Sequence, residues 1–89
     1  MIRVVIYDDN QQRCDSLRAL LSMTEGMEYA GSFPDCSRVA EDMKELRPDV
    51  VLMDIAMPNR DGISGVSVIK QHFPEIRIIM QTVFEDEEK

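Results

Sequence analysis

The sequence has no apolar run approaching the roughly 18–20 residues needed to cross a membrane, which excludes a transmembrane role. It has little cysteine: Cys14 and Cys36 alone are too few and too irregularly placed for a disulfide scaffold or a zinc site, so both are expected to be reduced thiols. Positive charge is scarce as well. Ten Lys plus Arg stand against 17 Asp plus Glu, and the net charge of −7 disfavours binding a phosphate backbone or an anionic membrane surface. No signal-peptide cleavage region lies between Met1 and Asp8, and the expectation is a cytoplasmic protein. Repeats, low-complexity tracts and Ser/Gly-rich linkers are missing, which leaves one small domain over 1–89.

What is present, 44% hydrophobic and 30% charged, is the composition of an ordinary folded chain. Two periodicities alternate along it. Ile2 to Tyr7 is a β-branched run ended by acids and reads as a buried strand. Asn10 can cap a helix that carries Cys14, Leu17, Leu20 and Leu21 at helical spacing, with Gly26 closing it. Glu28 to Phe33 reads as a second strand, ended by Pro34. Ser37 or Asp35 opens a second helix with Val39, Ala40, Met43 and Leu46 on one stripe, and Arg47-Pro48 stops it. Asp49 to Met53, with the continuous apolar run Val50–Met53, is a third strand ended by Asp54. A loop from Ile55 to Gly62 leads to a third helix marked by Val66, Ile69 and Phe73, and Ile76 to Met80 is the fourth strand. The pattern is βαβαβαβ. Apolar strands alternating with helices predict an α/β fold with a parallel sheet covered on both faces and right-handed crossovers.

In such sheets the site lies beyond the carboxyl ends of the strands. Asp8 and Asp9, Asp54 and Thr82 all fall there. Taken alone, acids at strand-to-helix turns are commonly solvated helix caps. Three carboxylates brought together raise one another's proton affinity unless a cation intervenes, and Mg²⁺ with oxygen ligands resolves the conflict. A carboxylate beside Mg²⁺ can attack phosphorus and form an acyl phosphate, and Thr82 can donate a hydrogen bond to a phosphoryl oxygen.

Tyr7-Asp8-Asp9-Asn10, then Pro48 to Pro58 with Asp54 inside it, then Asp61-Gly62 and Thr82, resembles the receiver domains of bacterial two-component response regulators. Glu41–Leu46 before Arg47-Pro48, and Thr82–Asp86, look most like receivers of the LuxR-type (NarL/FixJ-like) transcriptional regulators. The resemblance covers the whole chain. It implies a flavodoxin-like sheet with strand order second-first-third-fourth and a phosphoryl group taken from a sensor histidine kinase. In that light Asp54 is the phosphoacceptor and Thr82 the switch hydroxyl. Mg²⁺ falls to Asp9 directly, to Asp8 mainly through water, to Asp54, and to the backbone carbonyl of Ala56. Gly62 is expected to permit a backbone turn in the loop after the acceptor.

Two departures from the family pattern stand out. Val83 follows Thr82 where many receivers have alanine. The chain also reads as a truncated receiver that stops at the first turn of a fourth helix, Glu85–Lys89, without the fifth strand and its lysine; neither Lys70 nor Lys89 can be assigned to that lysine. The fourth strand then becomes an apolar edge, and self-association through it is expected. No direct nucleic-acid binding by this chain is expected. A phosphorylation-silent, self-associating interaction module is the alternative. A hydrolase with an aspartyl nucleophile fits less well, because Ala56 stands where its general acid would be. Among the remaining residues, His72 is expected at an exposed helix end, Cys14 in the core, Cys36 in an accessible turn, and the seven methionines in the core.

Overall fold

The computed structural model describes residues 1–81, apart from the side chain of Arg60. Thr82, Val83 and the acidic run up to Lys89 lie outside the described residues. The elements follow the alternation read from the sequence: β1 (Ile2–Tyr7), α1 (Gln11–Ser22), β2 (Met27–Phe33), α2 (Val39–Leu46), β3 (Val50–Asp54), a short 3-10 turn (Pro58–Arg60), α3 (Asp61–His72) and β4 (Arg77–Gln81). All pairings are parallel and the strand order is β2-β1-β3-β4.

Each buried strand is apolar on both faces because each face meets helices. Val4 and Ile6 of β1 pack with Cys14 and Leu21 of α1, with Val50 and Leu52 of β3 beside them. Val5, Tyr7, Val51 and Met53 point the other way, onto Val39 and Met43 of α2 and Val66 and Ile69 of α3. Side chains alternate across a strand, so a continuous hydrophobic run is required where neither face is wet. β4 shares the register, Ile78 opposite Val51 and Ile79 opposite Leu52, but Ile79 and Met80 are 54% and 51% exposed.

Several local expectations need correction. Leu20 is 60% exposed, because it sits about 100° around the helix from Leu21 and off the seam made by Cys14, Leu17 and Leu21. Helix α1 ends at Met23, whose N–H reaches the Ala19 and Leu20 carbonyls; Gly26, at φ +89°, instead shapes the turn before β2, and its carbonyl accepts from Ile2 N–H at 2.8 Å. Neither Ser37 nor Asp35 caps α2. Asp35 accepts from the Ser37 N–H at 3.0 Å in a local turn, and the helix starts after Arg38. Asp61 and Gly62 belong to the first turn of α3 rather than to the loop. Among the methionines, Met43, Met53 and Met57 are core, whereas Met1, Met23 and Met80 are exposed.

Two buried polar contacts tie the layers. The Tyr7 hydroxyl, wholly buried, donates to Asp42 Oδ2 at 2.8 Å and its ring stacks on Phe33. Cys36 is buried, not accessible: its N–H donates to Asp61 Oδ2 at 2.6 Å and its Sγ lies 3.7 Å from the Met53 sulfur. Burial first, then the nearby charges of Asp61, Asp35 and Asp42, push the Cys36 thiol up to about 12. The sign for stability follows. The unfolded thiol ionises near its ordinary value of about 8.5 while the folded one stays protonated, so stability falls as pH rises past that point. Denaturant unfolding at pH 7 and pH 10 is expected to show a smaller alkaline loss in Cys36→Ala than in the parent chain; equal losses would contradict this role.

Candidate functional site

The acids converge at the carboxyl edge of the sheet because two adjacent parallel strands end there. β1 pairs with β3 in register, Tyr7 opposite Met53, so the next residues, Asp8 just past β1 and Asp54 at the last position of β3, stand side by side. Asp8 and Asp54 are 2% and 1% exposed, whereas Asp9 faces solvent. One carboxylate oxygen from each of Asp8, Asp9 and Asp54 lies within 4.8 Å of the others, a trio found once among the described residues.

Each buried carboxylate is held in place. The Asp8 N–H donates to the Phe33 carbonyl at 3.0 Å, fixing the chain as it leaves β1. Asp8 Oδ1 then accepts from Asn10 N–H at 2.8 Å, and Asn10 caps α1 by accepting from Arg13 N–H at 3.0 Å. Asp54 Oδ1 accepts from Ala56 N–H at 2.9 Å. Behind Asp54, Gly62 packs so closely that a Cβ there would collide with the Asp54 carbonyl oxygen. The sequence reading gave Gly62 a turn role, but its backbone is helical. Its service is close approach, and the left-handed residue of this loop is Asn59 at φ 61°.

Arg13 is the site residue the sequence reading missed. Its guanidinium holds Asp8 with two bonds, Nε to Oδ2 at 2.7 Å and Nη2 to Oδ1 at 3.0 Å, and extends Nη2 to Asp54 Oδ2 at 3.4 Å. A signal was available: with Asn10 as N-cap, position 13 is in the first turn of α1, where a side chain can turn back over the strand end. Burial on its own would raise the Asp8 carboxyl, yet the Arg13 bond, the Asn10 N–H and the Arg13 charge together hold it below the ordinary carboxylate range. In return the bond to Asp8, joined by the charges of Asp8, Asp54 and Asp9, outweighs the effect of burial and raises Arg13 above its already high value.

Three carboxylates against one guanidinium leave two negative charges in a small, partly buried volume. Hard oxygen donors with that charge deficit fit a hard divalent cation better than any soft metal. A cleft of about 270 Å³ opens beside Asp9, lined also by Pro34, Asp35, Met57, Pro58, Asn59 and Asp61. His72 and Lys70 sit on α3, both exposed. Among the described residues, no helix is long and apolar enough to cross a membrane.

Known proteins are similar to this chain in sequence and in fold. The profile of the family described as "Response regulator receiver domain" matches residues 4–89. The transcriptional regulatory protein LnrK of Bacillus subtilis is 35% identical over 86 residues, covering 97% of this chain and 39% of that protein. The oxygen regulatory protein NreC of Staphylococcus haemolyticus is 32% identical over 88 residues, covering 98% of this chain and 41% of its own length. The chain thus spans about two fifths of these curated relatives. Among solved structures, the response regulator domain of Thermotoga maritima CheB superposes with a TM-score of 0.84 at 32% identity, over 98% of this chain and 64% of that one. RcsB of Salmonella enterica serovar Typhimurium, bound to promoter rprA in the presence of phosphomimetic BeF3⁻, gives 0.83 at 29%, over 97% and 72%. By sequence and by fold, this chain belongs to the response regulator receiver domain family.

Proposed function

We propose that the chain works, over residues 1–89, as the phosphoacceptor module of a two-component transcriptional regulator, taking a phosphoryl group from a sensor histidine kinase onto Asp54. The observation that carries this reading is the gathering of a buried Asp54 with Asp8 and the exposed Asp9, one carboxylate oxygen of each within 4.8 Å of the others. An Asp54 carboxylate oxygen attacks the phosphorus of a phosphohistidine; the new bond is O–P, the broken bond is N–P, and the leaving imidazole keeps the electron pair and takes a proton from solvent. Ala56 N–H on Oδ1 fixes the carboxylate plane, so the attacking group is oriented before the donor arrives. Asp8, Asp9, Asp54 and the Ala56 backbone carbonyl would hold Mg²⁺, which supplies charge neutralisation of the phosphoryl oxygens. Thr82 serves as the switch hydroxyl; it directly follows Gln81, the register partner of Asp54 on β4. The chain assists its own phosphorylation and turns nothing over, and this role goes with a cytoplasmic location.

A second reading, a phosphorylation-silent module that associates with copies of itself, draws on the exposed Ile79 and Met80 of β4. Among the described residues β4 is an end strand of the sheet, and the unpaired backbone N–H and C=O groups of an apolar edge strand are a template for pairing with another chain. The two readings separate in one pair of measurements. Intact mass after incubation with acetyl phosphate and Mg²⁺ is expected to show a phosphoryl adduct in the parent chain and none in Asp54→Asn; a folded chain without adduct would overturn the phosphoacceptor reading. Light scattering of the same sample tests pairing through β4: a dimer that Ile79→Lys dissociates supports it, and a monomer rejects it.

A further inference from the structure

Arg13 makes the pocket different from three bare carboxylates. Asp8 has neither oxygen to itself: Oδ2 receives Nε, and Oδ1 receives both Nη2 and the Asn10 N–H. Asp54 has Oδ1 on the Ala56 N–H, and its other oxygen faces Nη2. Only Asp9, exposed, stands outside the guanidinium's hydrogen bonds among the described residues. A divalent ion that draws on Asp8 and on the Asp54 oxygen facing Nη2 therefore meets a cation already in place.

We infer that Arg13 is a resident counter-cation that a divalent metal must displace, so that it sets the pocket's metal affinity and holds Asp8 and Asp54 together when the metal is absent. The inference rests on the metal-site reading above and deepens it. Geometry gives the exchange a route. The Arg13 side chain is about one-third exposed while Asp8 and Asp54 are not, so the guanidinium can swing outward from the first turn of α1 without unpacking the sheet. Its grip is uneven, two short bonds to Asp8 and one long contact to Asp54, so the Asp54 side opens first. Two adjacent buried carboxylates with no cation between them would repel, and Arg13 supplies the missing charge in the apo chain. A fixed positive charge beside an incoming divalent ion opposes its binding, and its removal favours the ion.

Arg13 is thus a positioning residue, and its signature is an opposite effect on two readouts. In Arg13→Gln, thermal stability without metal is expected to fall, while calorimetric titration with magnesium chloride shows a dissociation constant about tenfold lower than in the parent chain, equal to roughly 1.4 kcal/mol. Arg13→Lys, which keeps the charge, is expected to stay near the parent's dissociation constant and guards against a glutamine variant that fails to fold. Asp9→Asn, titrated alongside, assigns the binding heat to this pocket. An unchanged or weaker magnesium affinity in Arg13→Gln, with Asp9→Asn still abolishing binding, overturns the inference and leaves the metal-site reading standing. Binding that Asp9→Asn does not alter, or none in any variant, overturns that reading and the inference with it.

Discussion

Two carboxylates buried a few ångströms apart are the constraint around which this structure is arranged. Asp8 and Asp54 leave neighbouring parallel strands at the same level, and the sheet's hydrophobic packing places both out of water. Burying one unpaired carboxylate costs several kcal/mol, about as much as a small domain's whole margin of stability. The chain meets that cost locally: two bonds from Arg13, the backbone N–H groups of Asn10 and Ala56, and the capped start of α1. Together they lower the proton affinity of Asp8 against the opposing effect of its burial.

The packing behind the pocket is tight for the same reason. Tyr7, the residue before Asp8, is locked by its bond to Asp42 and its stack on Phe33, so the end of β1 has one position. Gly62 lets the first turn of α3 lie directly against the Asp54 backbone. At the other end of the sheet Arg3 binds the Leu46 carbonyl at 2.7 and 3.0 Å and thereby ties β1 to the end of α2. None of these contacts reaches solvent chemistry. They hold the strand ends where small displacements of a carboxylate would change what the site can bind.

Most of this architecture was legible because its cause is one-dimensional. A parallel sheet covered on both faces needs continuous apolar runs, and Val4 to Tyr7 and Val50 to Met53 have them; an acid at the end of each run then marks the functional edge. What escaped was set by three-dimensional proximity. Leu20 shares the composition of the α1 seam but not its angle, Cys36 is buried by α3 and β3 rather than by its own neighbours, and Gly62 is required by the Asp54 backbone rather than by a turn. Arg13 escaped because a lone basic residue in a first helical turn runs against the macrodipole and reads as a solvated side chain, until the strand-end acids it faces are placed. Thr82, singled out by its position after the fourth strand, lies beyond the described residues.

In the function proposed above, the acids at the ends of β1 and β3 form one cation-binding pocket shared with Arg13. Magnesium titration followed by amide-resolved NMR addresses it directly. Saturable shifts are expected at the backbone amides of Asp9, Asn10, Asp54 and Ala56 and at the Arg13 side-chain Nε–H, all with one dissociation constant. Shifts spread over the exposed acids of α2, Glu41 and Glu45, with the strand-end amides and Arg13 unmoved, would contradict it.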